Sequence, residues 1–246
     1  MENTGSENSS VGFVGLKMFS DPVEGFEMLS RRPKFIAMTL FIAICVMLLS
    51  GAVIGTVGFE TIVEKQITNS PQLAELSREE KQEIIAAQSS PVLMYITIAV
   101  GGLATFGMML LGGLYYWFSM NALGGKVRFP HGVAVFAYSS LPSTVLLVLA
   151  NLIVLAVKPL DEITALAGRS SGLVQANLSV VLDTDASPAL RALLESLDFF
   201  ALIGWVLAVI GIKVVGKLTT GSAVGIVALS ALFGIALRVG GMALFG

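Results

Sequence analysis

Five stretches of this chain carry no charged side chain: residues 35–59, 84–125, 129–157, 199–212 and 218–237. The hydrocarbon core of a bilayer is crossed by about 20 apolar residues in a helix, so each stretch is long enough, or nearly so, to be a span. Only 13% of the residues are charged and 55% are hydrophobic, whereas about a quarter of a soluble domain is charged. The fold class read from this is all-α: a polytopic membrane protein with a five-helix transmembrane bundle. Its spans are expected at about 35–58, 91–123, 133–157, 199–218 and 222–244. The second stretch is read as one long helix, because it holds Gly pairs at 101–102 and 112–113 but no polar turn cluster. The fourth is short only because Lys213 and Lys217 stand near its end, and lysine stems can snorkel to the headgroups.

Composition also excludes classes. A net charge of −2, with bases spread along the chain, gives no footprint for nucleic acid. The single cysteine, Cys45, lies in an apolar run and reads as a small buried hydrophobe. The first residues hold Glu2 and Glu7 and no base before Lys17, unlike the basic start of a cleaved signal peptide. Residues 1–18 are expected to be a flexible tail and 19–246 a single membrane domain. Orientation follows the bases. Lys17, Arg31, Arg32, Lys34, Lys126, Arg128, Lys213 and Lys217 fall on one side, and its two connecting loops contain no acid. Segments 60–90 and 158–198 hold 12 of the 17 acids and 6 of the 15 bases. The N-terminus is therefore expected in the cytoplasm and the C-terminus outside.

Both extracytoplasmic segments are expected to be helical. Ser77 and Glu80 have the spacing of a capping box. Ser187 precedes Pro188, and Leu190, Leu193, Leu194 and Leu197 form one apolar stripe leading to the fourth span. A similar pattern lies ahead of the first span, in "FSDPVEGFEMLSRRPKF". There Asp21 or Ser20 can cap, Pro22 suits a first turn, and Phe19, Val23, Phe26 and Leu29 make a stripe. Arg31, Arg32 and Lys34 then crowd the junction, where each base near an anionic surface is worth about 1 kcal/mol. The segment reads as a short interfacial helix ending at Pro33, or as a plain juxtamembrane anchor.

The same "FSDPVEGF" start, followed by "RRP" and a span, resembles the opening of the Yip domain family of Ypt/Rab-interacting-protein-like membrane proteins. "FAYSSLPSTVLLVL" at 136–149 is similar to the family's aromatic-small-Leu-Pro pattern in the third span, and "LDFFALIGWVLAVIGIK" at 197–213 to its acidic-aromatic fourth. The resemblance covers residues 17 to 245 and implies five spans; eukaryotic members act in the secretory pathway with Rab-type GTPases. Those relatives have a long cytosolic N-terminal region with a "DLYGP"-type motif. Here only "FSDP" matches it loosely, so Rab binding is not implied. The chain looks like a short prokaryotic-type member, expected in the prokaryotic cytoplasmic membrane.

Few residues suggest chemistry. Arg238 lies in the last apolar run, where a charge at the bilayer centre costs about 2.5–3.5 kcal/mol. It either snorkels or pairs with Asp198, the partner expected if the fourth and fifth helices are antiparallel neighbours. Pro142 frees a mid-span carbonyl that the hydroxyls of Tyr138, Ser139 or Ser140 can help satisfy. A kink is expected there. With Asn121 and Asn151 these residues form the expected intramembrane polar patch, either a ligand site or a helix-to-helix hydrogen-bond network. Gly51 and Gly55, Gly221 and Gly225, and Gly102, Gly107 and Gly112 suggest close helix approach. His131 is the only histidine, Ser222 lies outside a nucleophile-elbow pattern, and no phosphate-binding glycine loop occurs. No enzyme activity, metal or cofactor is expected.

The functional reading is a non-enzymatic membrane organiser, adaptor or lipid-interacting scaffold of the Yip type. Its working surfaces are the interfacial helix Phe19, Asp21, Pro22, Phe26, Arg31 and Arg32, with the cytoplasmic basic loops. The bilayer is its partner, a protein partner on the cytoplasmic face is open, and the sequence sets no oligomeric state. The alternative is a small transporter, channel or lipid-moving protein with a path near Pro142.

Overall fold

A computed structural model describes residues 10–68, 73, 76–167, 173–182 and 186–245. Eleven helices occur among them, and no strands beyond one isolated antiparallel bridge between Asn177 and Asp198. In chain order they are α1 (Val11–Ser20), α2 (Pro22–Arg31), α3 (Ile36–Val57), α4 (Phe59–Thr68), α5 (Arg78–Gln88), α6 (Pro91–Ala122), α7 (Phe129–Val157), α8 (Leu160–Ala167), α9 (Pro188–Ser196), α10 (Phe199–Gly216) and α11 (Thr220–Phe245). A 3-10 turn, Leu178–Val181, precedes α9. Helices α3, α6, α7, α10 and α11 are long and apolar enough to cross a membrane. The five-span, all-α reading therefore holds. At 1.5 Å per residue, the 32 residues of α6 exceed the thickness of the hydrocarbon core, so this helix extends beyond it.

The residues group into two compact units, and each of the five long helices contributes one stretch to each. The first unit contains 1–42, 106–142 and 204–227. Its core centres on Phe26, Leu29, Met120, Val133, Val135, Tyr138 and Ile212, all almost fully buried. Backbones approach closely between α6 and α7. A Cβ on Gly113 would sit 2.5 Å from the Val133 Cα, and one on Gly132 would strike the Gly113 carbonyl. Only glycine fits at such a crossing. Of the glycines expected to serve this purpose, Gly102 and Gly112 do: a Cβ on them would sit 2.3 Å from Met47 of α3 and 2.3 Å from the Phe136 ring of α7, whereas Gly51, Gly55, Gly107 and Gly225 face open space and Gly221 has only Thr219 Oγ1 at 4.0 Å. Spacing alone does not say which face of a helix meets protein.

The second unit contains 43–105, 143–203 and 228–246. Here Val57, Ile163 and Leu173 pack together with Ile62, Val154 and Leu166. Lys65 donates to the Thr164 carbonyl, joining α4 to α8. The capping box expected at α5 is formed, with the Ser77 N–H donating to Glu80 Oε2 at 2.8 Å and the Glu80 N–H to Ser77 Oγ at 3.3 Å. Ser187 caps α9 through the Leu190 N–H, with Pro188 in the first turn.

The N-terminal region corrects the sequence reading. The flexible tail expected through residue 18 is helical from Val11, with Ser10 as its cap; residues 1–9 lie outside the described residues. Asp21 both closes α1 and caps α2, accepting from the Glu24 N–H at 3.1 Å. Phe19 is consequently on α1 and does not share a stripe with Phe26.

Candidate functional site: an N-terminal helix pair and a basic cavity

Helix α1 presents two apolar faces. Val14, Gly15 and Met18 are buried, and a Cβ on Gly15 would already press on Met38 and Leu141 at 3.0 and 3.2 Å. Phe13, Leu16 and Phe19 lie on the opposite face, 47, 69 and 50% exposed. Lys17 at the border pairs with Glu24 of α2 and lies 5.6 Å from the Phe13 ring centre. Its hydrogen bond with Glu24 is the main cause raising the ammonium pKa above the ordinary 10.5.

Helix α2 is turned inward. Phe26 is wholly buried, so close to α10 that a Cβ on Gly211 would sit 2.7 Å from its ring. Leu29 is buried beside it, while Val23 and Glu27 stay exposed. The expected stripe of Phe19, Val23, Phe26 and Leu29 is therefore divided. Two members serve the protein core and two face outward.

Past the end of α2 lies a cavity of about 600 Å³ lined by Ser30, Arg31, Gly124, Gly125, Lys126, Val127, His131, Val215, Gly216 and Lys217. Three chain reversals build it. The first is the end of α2 ahead of Pro33, a residue that disfavours helix before it. The second is the 123–128 loop, started by Gly124 at φ +94°. Asn121 clamps this loop, donating to Val127 O at 3.1 Å and accepting from Val127 N–H at 3.2 Å, while Trp117 Nε1 also donates to Val127 O at 3.1 Å. The third is the end of α10, where Lys217 takes φ +52° and the Leu218 N–H reaches the Lys213 carbonyl at 3.2 Å. His131 joins two of them. Nε2 lies 3.3 Å from Ser30 O, and Nδ1 can accept from the Arg128 N–H at 3.3 Å. The Nε2–H tautomer satisfies both contacts. The lining has three cations and an imidazole but no carboxylate.

Of the residues expected in the interfacial helix, Arg31 lines this cavity and Arg32 is exposed beside it; Asp21 and Pro22 serve the cap and first turn of α2. The expected polar patch is dispersed. Ser139 and Ser140 both donate to Phe136 O, at 3.0 and 2.8 Å, and so do not serve the carbonyl that Pro142 frees. Helix α7 continues through Pro142. The Tyr138 hydroxyl is buried and has no hydrogen-bond partner among the described residues. Asn121 holds the 123–128 loop, and Asn151 donates to Leu147 O within its own helix at 2.8 Å. The expected Asp198–Arg238 pair is replaced. Arg238 pairs with Glu195 at 2.6 Å, while Asp198 accepts from the N–H groups of Phe200 and Ala201 at 2.8 and 3.2 Å. A carboxylate engaged in capping α10 is not free to reach across to α11.

The cavity was missed because its lining residues come from three separated segments and few are unusual alone. The Gly-Gly-Lys at 124–126 and the Gly-Lys at 216–217 were the available signal: each is a helix stop followed by a base. No curated protein and no solved structure matches the chain. The family model described as Yip1 domain matches residues 16–240. That match takes in four of the five spans and α2 whole, α11 as far as Gly240 and α1 from Leu16 onward, and the chain belongs to the Yip1 domain family.

Proposed function

We propose that this protein is a non-enzymatic membrane organiser that beds α1 in one leaflet and works from the adjoining basic surface. The single observation that carries the reading is the outward apolar face Phe13, Leu16 and Phe19 on a helix too short to span. Lipid is the occupant proposed for this face. The exposed side of α3, with Ile36, Leu40 and Phe41, belongs to the same unit and to a span that must itself face lipid. Pairing Lys17 with Glu24 neutralises the charge nearest the buried edge. A short helix with Phe and Leu at the acyl boundary occupies area in one leaflet only, which biases curvature and leaves the basic loops facing the cytoplasm for partners.

The test is reconstitution in vesicles with labels at positions 16 and 27, introduced as Leu16→Cys and Glu27→Cys in a Cys45→Ala background. The label at 16 should be quenched by a lipid-soluble agent and the label at 27 by an aqueous one. Wild-type protein should also narrow the vesicle size distribution, and Leu16→Glu with Phe19→Glu should abolish that effect. Aqueous quenching at 16, or vesicle shape indifferent to the double change, removes the reading. The transporter reading keeps one specific support, the unpartnered buried hydroxyl of Tyr138. Flux of a lipid analogue that Tyr138→Phe abolishes would favour it over the organiser.

A further inference from the structure

We propose that the cavity bounded by the ends of α2 and α10 and the 123–128 loop is a receptor for a phosphate group, carried on a phospholipid or on a small soluble molecule. Arg31, Lys126 and Lys217, each exposed, line it, and among the described residues none of the three forms a salt bridge. Gathering like charges without an acid is unfavourable unless an anion neutralises them. A phosphate monoester carries about −1.5 to −2 charge with three acceptor oxygens, and the diester of a phospholipid one charge over two free oxygens, so either offers acceptors to more than one of these cations. Arginine supplies a planar fork for two such oxygens and lysine a movable point charge.

The backbone supports this reading independently of charge. Lys217 occupies the left-handed region at φ +52°, which glycine takes without strain and side chains with a Cβ seldom adopt. A cation is thus held on the cavity wall where helix termination alone would favour glycine. Beside it, Gly125 has no room for a side chain, since a Cβ would sit 2.8 Å from Met120 O and 3.1 Å from Gly216 O. Loop backbone, not side chain, forms that wall. The volume of about 600 Å³ is within the range of small-molecule sites, and it leaves room for a glycerol or sugar beside the phosphate. Val127 and Val215 supply the apolar part of the lining.

The site uses no residue of α1, so its test is separate from that of the leaflet reading. Full-length protein in neutral detergent is titrated with inorganic phosphate and with glycerol phosphate, and protein in neutral nanodiscs is compared with protein in nanodiscs containing phosphatidylglycerol. Binding is read by calorimetry and by native mass spectrometry of retained lipid. Lys126→Ala and Lys217→Gly should each weaken binding about tenfold, as expected for loss of a charge-assisted contact. Lys213→Ala, which removes a base of the same turn outside the lining, should bind as wild type does. Lys217→Gly relieves the positive φ, so its melting temperature should equal or exceed that of wild type, and lost binding cannot be ascribed to misfolding. Retained phosphatidylglycerol that soluble phosphate does not displace identifies the lipid as the source; tight binding of the soluble probes in detergent identifies a free phosphate compound. No binding of either probe by wild type, or equal binding by wild type and both cavity variants, overturns the proposal.

Discussion

Helices α2 and α9 are built from the same local code and end in opposite environments. Each has a capping side chain, Asp21 or Ser187, then proline in the first turn, then an apolar stripe. In α2 the stripe's Phe26 and Leu29 enter the core. In α9 the buried positions are Ala192 and Glu195, and Leu190 and Leu193 remain outside. Helix α9 instead turns a carboxylate inward, and Arg238 of α11 meets Glu195 there at 2.6 Å, so a buried charge is held by a partner of opposite sign.

Substitutions sharpen this contrast. Phe26→Ala should have the largest effect, about 3–5 kcal/mol for truncating a fully buried aromatic, measured by reversible unfolding in micelles. Glu195→Ala should follow at roughly 2–3 kcal/mol, below the full cost of breaking a buried pair because the Arg238 side chain keeps 35% of its exposure. Replacing both Glu195 and Arg238 by leucine should recover much of that loss. A double change as damaging as Glu195→Ala alone would show that α9 depends on the charges and not on their mutual neutralisation. Leu193→Ala should be nearly silent, within about 0.5 kcal/mol. A loss comparable to that of Phe26→Ala would break the comparison, since it would mean that the leucine stripe of α9 packs on protein.

Helix α5 supplies the limiting case, a capped helix with no buried residue. Its first turn is held by local chemistry, and the Ser77 backbone N–H, followed by its hydroxyl, holds the Glu80 carboxyl below its ordinary value of 4.5. A depressed carboxyl pKa favours the folded helix above the unfolded value and ceases to do so as pH falls through the folded one. Protection of the amides of residues 80–82, taken relative to their intrinsic exchange rates, should therefore fall below about pH 4, while protection around Phe26 stays high. Ser77→Ala, which keeps the backbone N–H and removes only the hydroxyl, should weaken this pH dependence without abolishing it and leave the global melting temperature unchanged.

Much of the site escaped the sequence for a definable reason. Asn121 looked like an intramembrane polar residue because it follows a long uncharged run, yet the helix ends one residue later and its amide holds the 123–128 loop. The pairing of Arg238 was sought at Asp198, the first acid ahead of α10. Capping used that carboxylate, and the acid one turn earlier was free to face inward. Helix α1 was overlooked because a run of ten residues, "VGFVGLKMFS", is too short to be a span and has no alternating polar face. Both of its faces are apolar: Val14 and Met18 meet protein, and Phe13, Leu16 and Phe19 are exposed.

The sequence by itself determined the five spans, the caps of α2, α5 and α9 and the helix stops at glycine and before proline. Each of these depends on the solvent preference or backbone chemistry of residues within a few positions of one another. Tertiary structure alone decided which face of each helix is inside, which acid neutralises Arg238, that Gly113 and Gly132 mark a close crossing, and that Arg31, Lys126 and Lys217 share one cavity. In a bilayer both sides of a helix meet apolar surroundings, so hydrophobicity loses the power to orient it. Steric fit and the pairing of charges remote in sequence make that choice.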